Sequence, residues 1–152
     1  MDEGVRFACV KVMKQKTNVF ISEINHLMEE EGVGKVLRQG NIGGKEKPPG
    51  RTQFKALMDA AGEASCIEEL LLFLSYQKSK GGGWQIKCGG NEDISQKISK
   101  SLMKIQEDVF DAIEKEAKAG RITQEDERII RLEIAEKYMG YLYWKASVES
   151  RS

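Results

Sequence analysis

The stretch 94–113, "ISQKISKSLMKIQEDVFDAI", decides how this chain folds. Ile94, Ile98, Leu102, Ile105, Val109 and Ile113 recur every three or four residues. That interval lines one face of an α-helix with apolar side chains and leaves the charges on the others. Asn91 or Asp93 supplies the N-cap, a side-chain oxygen for backbone N–H groups that a first helical turn leaves free. The helix is expected to run to Ala119, where Gly120 ends it. Thr123 and Asp126 then stand at capping-box spacing and open a last helix over 124–148. Two long helices joined by so few residues must lie antiparallel, so 92–119 and 124–148 form an αα-hairpin.

Upstream, "SCIEELLLFLSYQKSK" (65–80) opens with Ser65 and Glu68, again at capping-box spacing. Ile67, Leu70, Leu71 and Leu74 give it a broad buried stripe. It frays at Ser79–Lys80 and stops at Gly81. Thr52 caps a shorter helix through Ala61, with Phe54, Leu57, Met58 and Ala61 on one face. Residues 2–31 read as a helix with a break near the β-branched run "TNVFI" (17–21). Val5, Cys9 and Val12 mark its first part, Phe20, Ile24, Leu27 and Met28 its second, and Gly32 and Gly34 stop it. Residues 38–50, with four glycines and the pair Pro48–Pro49, form a loop. Nothing alternates at period two beyond "WQIKC" (84–88). The fold class is therefore all-α: a single domain, 1–152, of about five helices in a bundle.

Composition narrows the function. At 40% hydrophobic and 32% charged residues the chain is too apolar to be disordered. No signal peptide or membrane span is legible, and three cysteines at unrelated spacings suggest neither a disulfide framework nor a zinc site. A cytoplasmic protein is expected. Catalytic chemistry is hard to assemble. A P-loop needs GxxxxGK[ST], but before Gly44–Lys45 the first glycine position holds Gln39, and the hydroxyl position after it holds Glu46. His26 is the only histidine. Glu23 and His26 have ExxH spacing, yet a di-iron site needs that motif twice. Cys66 sits in a first helical turn, where a thiol can be activated, but beside Ile67 it reads as a small core residue. No catalytic residue, metal site or cofactor is assigned. In "YMGYLYW" (138–144), Tyr138, Tyr141 and Leu142 share a core face. Tyr143 and Trp144 point elsewhere, toward another helix or another chain.

Charge points to a partner. The net charge is zero, with 24 basic and 24 acidic residues, but their order is uneven. Bases crowd two glycine-rich loops, 35–51 and 77–91, and their flanks, while 56–76 and 105–136 are acidic. Two readings remain. Either the loops are solvated linkers of a helical protein–protein adaptor, or they grip a nucleic-acid backbone without reading sequence. In the second reading Lys78, Lys80 and Lys87 reach phosphates, Trp84 stacks a base, and Arg51, Lys45, Lys47 and Lys55 extend the strip.

Three patches resemble a known family. "RFACVKV" (6–12), "LLLFLSYQKSK" (70–80) and "YLYWKA" (141–146) resemble helices of the small all-helical subunit of type III CRISPR effector complexes of the Cmr kind. "GRTQF" (50–54) and "FLSYQ" (73–77) resemble its Csm-type sister equally, so the two are not separated. The Pro-Pro loop and the triple glycine depart from the pattern. The resemblance implies a non-catalytic antiviral-defence scaffold. It would associate with other subunits and with copies of itself, and touch guide and target RNA through basic residues.

Overall fold

The computed structural model describes residues 1–39, 46–118 and 121–150. Its helices are α1 (Glu3–Gln15), α2 (Thr17–Glu29), α3 (Val33–Gln39), α4 (Arg51–Glu63), α5 (Ile67–Ser79), α6 (Ile94–Ala117) and α7 (Gln124–Glu149). A two-stranded antiparallel ribbon, β1 (Lys87–Gly89) and β2 (Glu92–Asp93), leads into α6. The class is all-α, as the periodicity implies, with more and shorter helices at the N-terminus than expected.

The C-terminal helix pair forms, with the chain leaving α6 at Lys118 (φ +69°) rather than running on to Ala119; the expected stop at Gly120 lies outside the described residues. Of the two cap candidates Asp93 takes the role: its carboxylate accepts from the Gln96 N–H at 2.9 Å, and the Gln96 side chain accepts from the Asp93 N–H at 2.9 Å. Asn91 stays exposed in the ribbon. At α7 the Thr123 hydroxyl accepts from the Asp126 N–H at 3.0 Å, and the Asp126 carboxylate returns the bond at 3.2 Å. These reciprocal bonds satisfy donors that a helix start would otherwise leave open.

Elsewhere the local signals are overruled. Residues 2–31 form two helices, parted at Lys16, whose ψ of 6° leaves the α region. Asp2 caps the first, accepting from the Gly4 N–H at 2.6 Å. Gly34 does not stop a helix; it lies inside α3, because a Cβ there would sit 2.8 Å from the Met28 carbonyl oxygen. Its smallness serves close packing, while Gly32, at φ +82°, makes the turn. Arg51, not Thr52, begins α4, and the Gly50 N–H donates to the Gln53 side chain at 3.0 Å. At α5 the Ser65–Glu68 box does not form; Glu69 instead accepts from the Ser65 N–H at 3.0 Å. The start of the 38–50 loop is helical, and residues 40–45 lie outside the description.

Burial centres on α6. Its six periodic side chains are all enclosed, against α1, α2, α5 and α7. α4 lies along α7, and α3 fills the corner between α2 and α7. The glycine-rich stretch after α5 joins this core. Trp84 is 0% exposed and meets the Phe54 ring edge-on at 5.1 Å. Its carbonyl accepts from the Ser95 N–H at 3.0 Å, and that of Ile86 from the Ile94 N–H at 3.0 Å, so the turn is fastened to the start of α6. Gly83 adopts φ +91°, and a Cβ there would lie 2.2 Å from the Lys47 carbonyl oxygen. The segment 77–91 is therefore a folded turn and ribbon, not a flexible loop, with Pro48 and Pro49 buried against it.

Trp84→Ala should lower stability by about 3–5 kcal/mol, as for a buried aromatic truncated in a packed core. Trp144→Ala, at a ring 66% exposed, should change it by no more than about 0.5 kcal/mol. Urea unfolding that finds both losses equally small would detach Trp84 from the core.

Candidate nucleic-acid interface

Eight residues were expected to form a basic, base-stacking strip, and the fold treats them differently. The two segments do meet. Lys47–Pro48 packs on Gly83, and a cleft of about 500 Å³ opens beside it, lined by Glu46, Lys47, Gly50, Arg51, Gly81 and Gly82 among others, so one carboxylate shares it with the two cations. Lys47 and Arg51 are exposed and make no ion pair among the described residues. Lys80 is also exposed, its ammonium 5.0 Å from the centre of the Tyr76 ring. Lys87 is exposed on β1, donating to the Asn91 carbonyl at 2.8 Å. These four are unneutralised cations.

The other four are not. Trp84 cannot take a stacked base where it sits, because both ring faces are inside the core. Its indole N–H has no acceptor among the described residues, a cost that the burial of the ring must outweigh. Lys78 is bound to the Asp93 carboxylate at 2.7 Å and holds the cap residue of α6. Burial alone would raise the Asp93 pKa, but hydrogen bonds from Lys78, Ser95 and Gln96 hold it below the ordinary value. Lys55 pairs along its own helix with Asp59 at 3.4 Å. Lys45 lies outside the described residues.

Helix packing also dissolves the charge segregation read from the 77–91 loop and its flank in α6. Lys97 reaches Glu31 at 2.6 Å and Glu92 at 3.5 Å. Lys100 pairs with Glu92, and Lys104 with Glu23 at 3.1 Å. The Lys97 hydrogen bond holds Glu31 below its ordinary pKa; the Lys100 hydrogen bond does the same for Glu92. Beneath this surface runs a buried chain that sequence reasoning missed. The Tyr138 hydroxyl donates to Ser101 Oγ at 2.7 Å, and Ser101 donates to the Glu23 carboxylate at 2.8 Å. Ser101 is three residues beyond Ile98, on the apolar face of α6. A hydroxyl at a core position was the available signal.

The ExxH pair serves two separate purposes. Glu23 ends this buried chain, while His26 is exposed, 3.5 Å from Glu31. Among the described residues no group of three or more His, Cys, Asp or Glu side chains is placed to hold a metal ion. Cys9 and Cys88 have thiols pushed up to about 11 by burial. No helix of the described residues is long and apolar enough to cross a membrane. A scan against protein-family models finds no match to this chain, and searches of curated proteins and of solved structures find none either.

The lowered carboxyls of Glu31 and Glu92 set a pH dependence. A carboxyl whose pKa is lower folded than unfolded adds stability that is complete above the unfolded value, 4.5 here, and is lost as pH falls through the folded one. Lys97→Met should flatten the fall in denaturation midpoint below pH 4.5 relative to the parent. Identical acid profiles would show that the cluster does not couple to folding.

Proposed function

We propose that this chain is a non-catalytic small subunit of an RNA-guided ribonucleoprotein, of the type III CRISPR effector kind. It would contact guide or target RNA through its backbone without reading sequence. The observation that carries the reading is the meeting of the two basic segments, which places Lys47 and Arg51 at one cleft with the Gly81–Gly83 turn, next to Lys80. Cations without acidic partners have nothing in the fold to neutralise, and phosphate oxygens suit them. Resemblance of 6–12, 70–80 and 141–146 to the Cmr-type small subunit supplies the assembly; the Csm-type sister fits as well. Partners in this reading are the other subunits, further copies of the chain and the RNA, in the cytoplasm.

The contact set differs from the strip drawn on the sequence. Lys78 and Trp84 leave it, since one caps α6 through Asp93 and the other is core. Lys47, Arg51, Lys80 and Lys87 remain.

The adaptor reading draws on a different observation. Leu72 and Tyr76 on α5 are 69% and 56% exposed, and Phe7 on α1 is 67% exposed. Leu72 and Tyr76, one turn apart on α5, would belong to a contiguous apolar patch of the kind that marks a surface for another protein.

Binding of single-stranded RNA at several salt concentrations tests the first reading. Four neutralised phosphates at about 0.7 each give a slope of log K on log salt near −3. Replacing Lys47, Arg51, Lys80 and Lys87 by glutamine should bring the slope close to zero with the melting temperature unchanged. Lys78→Gln should lower the melting temperature instead, by uncovering Asp93. Unchanged affinity and slope in the fourfold variant, alone and in an assembled complex, would leave the adaptor reading in its place.

A further inference from the structure

The helix α5 carries more apolar surface than the core uses. In "IEELLLFL" (67–74) the run Leu70–Leu74 puts apolar side chains round most of the circumference, with Glu68 and Glu69 ahead of it. Only Ile67, Leu70 and Leu74 are buried; Leu71 and Phe73 are half-covered, and Leu72 stands in solvent. Five consecutive apolar residues on a helix exceed what one buried face requires. Beside it α4 presents Ala56, Ala60 and Ala64, four residues apart. Together they make a groove of about 450 Å³, with Phe73 and Leu70 on one wall and the alanines on the other. Side chains this small let a third helix approach to the usual interaxial distance of about 8–10 Å.

The rim determines the occupant. Asp59, Glu63 and Glu69 line the groove, and no lysine or arginine does. Glu68 adds a fourth carboxylate on the same turn of α5. Lys55 pairs with Asp59 at 3.4 Å, an exposed pair that a partner cation would have to share, and Arg128 pairs with Glu125 while donating to the Ser65 carbonyl at 2.6 Å; Glu63 has no ion pair among the described residues. An apolar floor with an acidic rim is complementary to a helix that carries leucine-like side chains at i, i+3 or i+4, and i+7, flanked by lysine or arginine. Nucleic acid and anionic lipid have the wrong sign.

We propose that the α4–α5 groove is the docking site for a basic amphipathic helix of a partner protein. The helix lies between α4 and α5 with one or two apolar anchors against Phe73 and the alanines, and its cations face Asp59 and Glu63. The site is independent of the RNA contact, whose cations sit at the start of α4 and beyond the end of α5.

Labelled helical peptides test this on the full chain: one of leucine and lysine in an amphipathic pattern, and a matched one of leucine and glutamate. Fluorescence anisotropy should show the lysine peptide binding and the glutamate peptide not. Ala60→Trp fills the groove and should weaken the lysine peptide at least tenfold. Asp59→Lys with Glu63→Lys, at two exposed positions, should do the same and let the glutamate peptide bind, and it covers the case in which the tryptophan variant does not fold. Absence of lysine-peptide binding, or binding that both variants leave unchanged, overturns the site. So does sedimentation in which the parent chain self-associates and Ala60→Trp returns it to monomer, since a second copy would then be the occupant. The RNA salt slope of these variants should equal that of the parent, which keeps failure here distinct from failure of the RNA reading.

Discussion

Everything in this fold leans on one apolar seam. Ile94, Ile98, Leu102, Ile105, Val109 and Ile113 run the length of α6 and are sealed by α1, α2, α5 and α7. Isolated helices as short as α1, α2, α4 and α5 are marginal in water, so it is burial against this seam and against α7 that keeps them helical. The place where α6 begins matters as much as its length. Asp93 caps it, Lys78 reaches across from the end of α5 to hold that cap, and the N–H groups of Ile94 and Ser95 bind the carbonyls of Ile86 and Trp84. One helix start thus fixes the end of α5, the ribbon, and the tryptophan that closes over Phe54.

That attachment gives the glycine-rich turn its character. Gly83 is small because the Lys47–Pro48 backbone runs directly over it, and the prolines are buried by the same contact. The two segments read as loops therefore support each other, and Lys47 and Arg51 are presented from a packed base.

Charge is arranged so that each helix answers another. The lysines of α6 face Glu23 and Glu31 of the N-terminal region and Glu92 of the ribbon, and Arg38 of α3 reaches Glu149 at the end of α7 at 2.5 Å. Exposed pairs of this kind add little stability singly. Their effect is on the surface potential: among the described residues the cations without an ion pair include Lys47, Arg51, Lys80 and Lys87 near the glycine-rich turn, while an acidic apolar groove lies between α4 and α5. A chain of zero net charge can in this way offer opposite surfaces to two kinds of partner.

The sequence by itself determined the all-α class, the C-terminal hairpin and its Thr123–Asp126 box, because these follow from interactions within one helix: three-and-four periodicity and hydrogen bonds three residues apart. It also implied that Tyr138, Tyr141 and Leu142 are core and that Trp144 is not; Tyr138 and Leu142 are buried, and Tyr141 is only partly covered. Only the tertiary structure decided the rest. Trp84 in a run of glycines and lysines looks solvent-facing, and its burial depends on Phe54, thirty residues earlier in the chain. Gly34 looks like a stop until Met28 is seen pressed against it. The basic run 77–104 looks like a patch until Glu23, Glu31 and its own Glu92 and Asp93 are brought beside its lysines. In each case the deciding partner is distant in sequence or turned by the fold, and local propensity carries no information about which face will meet it.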